Sequence, residues 1–335
     1  MNTGNIRAAL CLAGFAFTAP GLAAELALSR DGWTSWQVEA VEDAPDMCCW
    51  SSWDDANKSR TACALDDDRG NTGTRDHATT DAVRVYARVA GGKVERLRAF
   101  SATCPVKAAT PIAELGNVSA DDSARWLVGL NKQGGAGSFM HGEFGDNVLA
   151  ALAMHRGQLA QDSLASLARD DPRSEMRRKA VFWLALLRGT AGADIATTVM
   201  FSDKDADVRK HSAFAITQSK SPRVAADLIR LGNTDKDADV RAQAWFWLAH
   251  TGAANSEEAI IAALRKDSDD HVREQTIFAL SQLPDERATR ALIAAVEDRS
   301  LSREQRKRAM FWLAQSESKG AQTYLETVLV GKAGD

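Results

Sequence analysis

The residues with the greatest chemical potential are four cysteines, Cys48, Cys49, Cys63 and Cys104, all in the N-terminal third of a 335-residue chain. A fifth, Cys11, lies in an apolar leader described below. An even number of thiols in an exported protein points to two disulfides. Three pairings exist. Joining the neighbours Cys48 and Cys49 closes a strained ring, so the expected pairings are the two in which each neighbour reaches Cys63 or Cys104. The same sulfurs with His77 suggest zinc or copper, but the C-x-x-C spacing of zinc sites is absent. A vicinal pair also suits redox sensing through thiol–disulfide exchange, an alternative to a purely structural role.

Other chemistry has weaker signals. The chain has no G-x-S-x-G and no H-E-x-x-H, and its histidines (His77, His141, His155, His211, His250 and His271) are scattered. The acidic stretch LDDDRGNTGTRDH from Leu65 lacks the sixth-position Gly and distal Glu of a calcium loop. The Gly-rich KQGGAGSFMHGEFG at 132–145 has neither the Lys-Ser/Thr ending nor the preceding strand of a phosphate loop, and it reads as a connector. The expectation is a non-enzymatic protein with no cofactor and no metal; a lyase-like small-ligand enzyme is the remote alternative.

Bulk properties narrow the partner. Apolar residues make up 45% and charged residues 26%, an ordinary globular balance, and the net charge is −4. Nucleic acid is a poor candidate, because phosphate binding rests on clustered Lys and Arg. Residues 1–24 read as a secretory signal: Arg7, an uncharged apolar stretch from Ala8 to Phe17, then Pro20 and small residues with cleavage near Ala23 or Ala24. Leu10 ahead of Cys11 does not suit a lipid-anchor site. No later stretch is long enough to insert in a membrane, so a periplasmic or secreted location is expected.

These residues must be positioned by two kinds of architecture. Between Asp171 and Ala314 one pattern recurs: DPRSEMRRKAVFWLA, DKDADVRKHSAFAIT, DKDADVRAQAWFWLA, DSDDHVREQTIFALS and SLSREQRKRAMFWLA. Its Arg falls at Arg177, Arg209, Arg241, Arg273 and Arg306, with spacings of 32, 32, 32 and 33. Six residues earlier stand Asp171, Asp203, Asp235 and Asp267, with Ser300 the exception. Each block reads as an Asp-rich turn capping a helix. Shorter amphipathic helices lie between the blocks, from Gln158, Ser221, Asn255 and Glu286. The period signals stacked helix pairs.

The D-x-D-x-x-V-R pattern ahead of an Ala/Leu-rich helix resembles the HEAT repeat, including the bacterial HEAT-like form also seen in phycobilin lyases. The resemblance implies an α-solenoid over 146–335, a scaffold for a protein or peptide partner. It also implies a structural ladder in which Asp171, Asp203, Asp235 and Asp267 pair with the repeat arginines, Ser300 marking a terminal cap. An interior Arg needs such a partner, since stranding a buried charge costs several kcal/mol.

At 100° per residue, an apolar row and the recurring Phe row both fall far from the expected core stripe of each second helix. The first row is Val181, Ala213, Trp245, Ile277 and Met310; the second is Phe182, Phe214, Phe246, Phe278 and Phe311. Packing between repeats accommodates them. So does an apolar groove on the concave face, lined by Arg178, Lys210 and Lys307 and suited to an acidic amphipathic segment. Trp183, Trp247 and Trp312 are expected in the core.

The N-terminal module at 25–125 differs in composition. Trp33, Trp36, Trp50 and Trp53 cluster there, AVRVYARV and KVERLRAFSA alternate about Gly91 and Gly92, and SWQVEAV reads as a further strand. The end of a helix that starts at Ser119 and a Gly-rich connector occupy 126–145. The order of parts, with its CCW element at Cys48 to Trp50 and its CPV element at Cys104 to Val106, is similar to a group of exported bacterial HEAT-repeat proteins. The fold class expected is mainly α: an α-solenoid of antiparallel helix pairs behind a small disulfide-stabilised β-containing module.

Overall fold

The computed structural model describes residues 26, 28, 30–51, 59–67, 72–133 and 143–331. The leader, Trp53, the side chain of His77 and His141 lie outside them, as does most of the Gly-rich stretch.

Alternating side chains build the N-terminal part from β1 (Gly32–Glu39), β2 (Pro45–Trp50), β3 (Arg60–Thr61), β4 (Cys63–Ala64), β5 (Thr72–Thr79), β6 (Ala82–Ala90), β7 (Lys93–Ser101), β8 (Val106–Lys107) and β9 (Ile112–Asn117). The hairpin about Gly91 and Gly92 is β6–β7; the two glycines have φ of 56° and 75°, which a two-residue turn between twisted strands requires. The SWQVEAV segment forms β1, which pairs antiparallel with β6 and parallel with β9, giving the order β7-β6-β1-β9. Smaller sheets, β3-β2-β5 and β4-β8, carry cysteines.

Successive residues of a strand face opposite sides, and the large sheet is buried on both. Trp36, Val38, Val83, Val85, Ala87 and Leu97 face the helices. Trp33, Tyr86 and Phe100 face Cys48, Cys49, Cys63 and Cys104 on the other side.

The helical stack begins before residue 146. Helices α1 (Ala120–Gln133) and α2 (Glu143–Met154) pack beside α3 (Gln158–Asp170) and α4 (Ser174–Leu187), respectively. They form a first repeat without the Asp/Arg signature, so Glu143 to Gly145 belong to a helix and not to the connector. Then follow α5 (Gly189–Ser202) with α6 (Ala206–Thr217), α7 (Val224–Thr234) with α8 (Ala238–His250), α9 (Ser256–Lys266) with α10 (Asp270–Ser281), and α11 (Asp285–Glu297) with α12 (Arg303–Ala314). Helix α13 (Lys319–Gly331) packs on α11 and α12 at the far end. Asp205, Asp237 and Asp269 cap their helices through their carboxylates, and Ser302 with Gln305 forms a capping box.

Second helices approach one another closely while first helices touch sparsely. The layer of closer approach is the inner one, so α4, α6, α8, α10 and α12 line the concave side. The β part is continuous with this stack. Trp36 stands edge-on to Trp126 at 5.0 Å. Val41 donates its amide to Met154 and Arg156 donates to Glu39. One core extends from Trp36 to Ala321, so the expected division after residue 125 falls inside α1.

Close approach of α7 and α8 depends on Gly232. A Cβ there would lie 2.5 Å from the Trp245 ring, which rests on the α7 backbone. Gly232→Ala therefore overpacks the core and should lower stability by about 1–3 kcal/mol in urea unfolding; unchanged stability would refute this contact.

Candidate functional site

The position of each second-helix side chain follows from which neighbours cover it. In α8 the buried residues include Val240, Ala244, Trp245, Leu248 and Ala249. At 100° per residue these span an arc of about 180°. The interior stripe is therefore wider than expected, and it contains the row that precedes each Phe. Val181, Ala213, Trp245 and Ile277 are at most 1% exposed. Trp245 and Ile277 thus cannot contact a partner, which corrects the expected groove: the helix's own first helix covers that side, as Gly232 shows for Trp245. Met310, in the terminal pair, is only partly buried.

The Phe row faces the open side. Phe182, Phe214, Phe246 and Phe278 are half-buried, and Phe311 is 55% exposed. Trp183, Trp247 and Trp312 are also half-buried, packed against the core and in ring contact with the Phe row. Ring contacts run unbroken along the stack. Trp183 meets Phe182 at 5.4 Å, and Phe182 stacks on Phe214 at 6.0 Å. Phe214 meets Trp247 at 4.8 Å, and Trp247 meets Phe246 at 4.9 Å. Phe246 stacks on Phe278 at 5.8 Å, which meets Trp312 at 5.0 Å, which meets Phe311 at 5.2 Å. His211 and His250 add edges against Phe214 and Phe246. Phe246 and Phe278, with Gln243, Gln275 and the Asp239–His271 contact at 3.1 Å, line an open depression of about 400 Å³.

Charge on this face is balanced rather than basic. Lys210 pairs with Asp207 at 2.9 Å and Lys307 with Glu304 at 3.6 Å, each on its own helix. Arg308 reaches Glu274 of the preceding repeat at 3.5 Å. Arg178 is half-buried beside the Phe row. The expected positive lining is therefore largely neutralised.

Register between repeats is held by charge pairs. Arg177 grips Asp203 with Nε and Nη2 at 2.7 and 3.0 Å, Arg209 grips Asp235 at 2.8 and 2.9 Å, and Arg241 grips Asp267 at 2.9 and 3.0 Å. Each arginine also donates to the main-chain carbonyl of its own repeat's Asp. The ends depart from the expected ladder. Asp171 has no preceding repeat arginine, and its carboxylate takes Arg173 instead. Arg273 turns to Asp270, and Asp298 takes Arg265. Asp298, not Ser300, is the residue that ends the first helix of the last pair; two additional residues before the Ser302 cap hid it from alignment on Arg306. Arg306 has no following repeat to grip.

Burial alone would raise the carboxyls of Asp203, Asp235 and Asp267. Hydrogen bonds from the paired arginine and from an amide two residues on outweigh it, so each lies below its ordinary value. Arg209→Ala strands the Asp235 carboxylate and should cost about 3–5 kcal/mol in denaturant unfolding. The double change Arg209→Met with Asp235→Leu should recover most of that loss; failure to recover would show that geometry and not charge governs the pair.

A serine–histidine contact sits where sheet and stack meet, unsignalled by sequence because the two residues are 32 apart. Trp36 Nε1 donates to Ser123 Oγ at 2.7 Å, and Ser123 Oγ lies 2.7 Å from His155 Nε2. With the Ser123 hydroxyl donating to Nε2, His155 Nδ1 donates to the Ala151 carbonyl. All three side chains are buried and the chain of donors is closed. Burial, aided by the Arg188 charge, pushes the His155 pKa down from 6.5 to about 4. A lowered histidine pKa contributes stability that is complete above 6.5 and is lost as pH falls from 6.5 towards 4. The full span corresponds to about 3 kcal/mol. Urea unfolding from pH 7 down to pH 4.5 should show that loss for the natural chain and a shallower one for His155→Gln; parallel curves would refute it.

Family comparison agrees with this architecture. A family model described as HEAT repeats matches residues 161–245 and again 233–310. Residues 161–310 are HEAT repeats. The stack extends beyond that span at both ends, through α1–α2 and α13. Among solved structures, human deoxyhypusine hydroxylase in complex with glycerol is similar at 15% identity, covering 60% of this chain and 76% of its own, with a TM-score of 0.34. A likeness that weak carries no statement about activity here. No curated protein matches the chain.

Proposed function

We propose that this chain is an exported, non-enzymatic protein-interaction scaffold that holds an apolar, largely uncharged partner segment on the concave face of its HEAT stack. One observation carries this reading: an unbroken ridge of partly exposed aromatic rings from Trp183 to Phe311, one or two per second helix. Single exposed apolar residues need no explanation, but a contiguous series marks an interaction surface. Aromatic rings supply large contact area with few rotamers to freeze, which is why they dominate interface energetics. The balanced charges beside the ridge favour a neutral segment over the strongly acidic one that the basic residues alone suggest.

Export is supported by the basic-then-apolar leader and by two buried disulfides, which persist in oxidising compartments. No described helix is long and apolar enough to cross a membrane. The non-enzymatic reading is supported by the sealing of the Ser123–His155 contact, whose donors and acceptors are taken up internally.

A photo-crosslinking residue at Phe311 should capture one discrete protein in the exporting cell, and the same residue at Glu258 on an outer helix should not. Phe214→Ser combined with Phe278→Ser, in a chain still helical by circular dichroism, should reduce that capture at least tenfold. Equal capture from both positions, or undiminished capture by the double variant, would overturn the proposal.

A further inference from the structure

Away from the concave face, the half-cystines form a single cluster. Cys48 is bonded to Cys104 and Cys49 to Cys63. Cys48 and Cys49 are adjacent on β2, and parallel pairing of β4 with β8 holds their partners Cys104 and Cys63 side by side. Sγ of Cys63 lies 3.7 Å from Sγ of Cys104, across the two bridges. The sulfurs of Cys48, Cys63 and Cys104 all lie within 4.8 Å of one another. One bridge is also approachable. Cys49 and Cys63 line a cavity of about 220 Å³, with Asp67, Arg98, Thr72 and Asn147 on its walls. The Asn147 Nδ2 is buried without a hydrogen-bond partner. The cavity is smaller than the roughly 300–1,000 Å³ of pockets for drug-sized ligands. It suits a small thiol better than a protein loop.

We propose that this cluster is a thiol–disulfide exchange site for a small dithiol, in which reduction of one bridge is relayed to the other. The entering thiolate attacks Cys49 Sγ, breaking the Cys49–Cys63 bond and releasing the Cys63 thiolate. That thiolate, no longer tethered to Cys49, must rotate about its Cα–Cβ bond to come into line with the Cys48–Cys104 bond, and it then attacks Cys104 Sγ, forming Cys63–Cys104 and expelling the Cys48 thiolate. The second thiol of the reductant attacks its own sulfur in the mixed disulfide, closing the reductant into a cyclic disulfide and releasing Cys49. Two electrons and two protons pass from the dithiol to the protein. One disulfide remains, and the protons end on Cys48 and Cys49. The product persists because successive strand residues point to opposite faces, and closing the vicinal ring strains it. A pair of buried structural bridges becomes one bridge and two adjacent thiols, able to pass their electrons on.

The test uses the whole folded protein with one molar equivalent of dithiothreitol, followed by N-ethylmaleimide and peptide mass mapping without further reduction. The expected product carries two maleimides on the peptide that contains Cys48 and Cys49, with Cys63 and Cys104 linked. Maleimide on Cys49 and Cys63 with Cys48–Cys104 intact means independent bridges and overturns the relay. Labelling of Cys48 and Cys104 alone, labelling of all four in one fraction of molecules, or no labelling of the folded chain overturns it equally. The outcome is independent of the concave face, since no ridge residue takes part.

Discussion

The guanidiniums of Arg177, Arg209 and Arg241 are enclosed between helical repeats, and each takes its anion from the next repeat. Arg177 and Arg209 have side chains only 3% and 4% exposed, and each meets its carboxylate with two parallel hydrogen bonds. A forked contact of that kind accepts one mutual orientation, so it sets rotation and rise from one repeat to the next. The spacing of everything else on the inner helices follows. The Phe at a constant place on each helix comes within ring contact of its counterpart, as Phe182 does with Phe214 and Phe246 with Phe278. At the far end the ladder stops, with Arg273 on Asp270 and Asp298 on Arg265, yet Trp312 still reaches Phe278. Ring packing and the Arg265–Asp298 and Arg308–Glu274 pairs carry the register over that last step.

The inner helices are buried over about half their circumference, so little of their surface remains to face solvent. Along that remaining surface runs a row of large rings, flanked by polar side chains such as Gln243, Gln275, Asp239 and His271. The ion pairs that flank the ridge, Lys210 with Asp207 and Lys307 with Glu304, stay within single helices and so leave the rings uncovered. A surface of this composition is stable in water only as a narrow strip, and a strip is what the stack provides.

The N-terminal sheet gives the stack its closed end. Repeat arrays bury each pair against the next and require a cap where the series begins. Here the cap is a sheet with α1 and α2 on one face and the disulfide cluster on the other. The joint between them is polar as well as apolar. Ser123 satisfies Trp36 and His155 at once, and a buried polar group that is fully satisfied specifies one arrangement of the elements around it.

Much of this was legible in the amino-acid sequence, wherever a feature depends on local chemistry or on period. The Asp-capped helices, the Gly91–Gly92 hairpin, the repeat register of the arginines and the exclusion of a Cys48–Cys49 ring all follow from side-chain type and spacing. Other features depend on which element lies next to which, and sequence is silent there. Trp245 and Phe246 are equally apolar neighbours; only the α7 backbone at Gly232 decides that the first is interior and the second open. The α1–α2 pair carries no repeat signature, and Asp298 stands two residues out of register. The choice of Cys104 for Cys48 and Cys63 for Cys49 rests on strand pairing far from β2 in the chain. Periodicity reports how a helix or strand divides its own faces, but the covering of a face is a property of its neighbours, and those are assembled only in the folded chain.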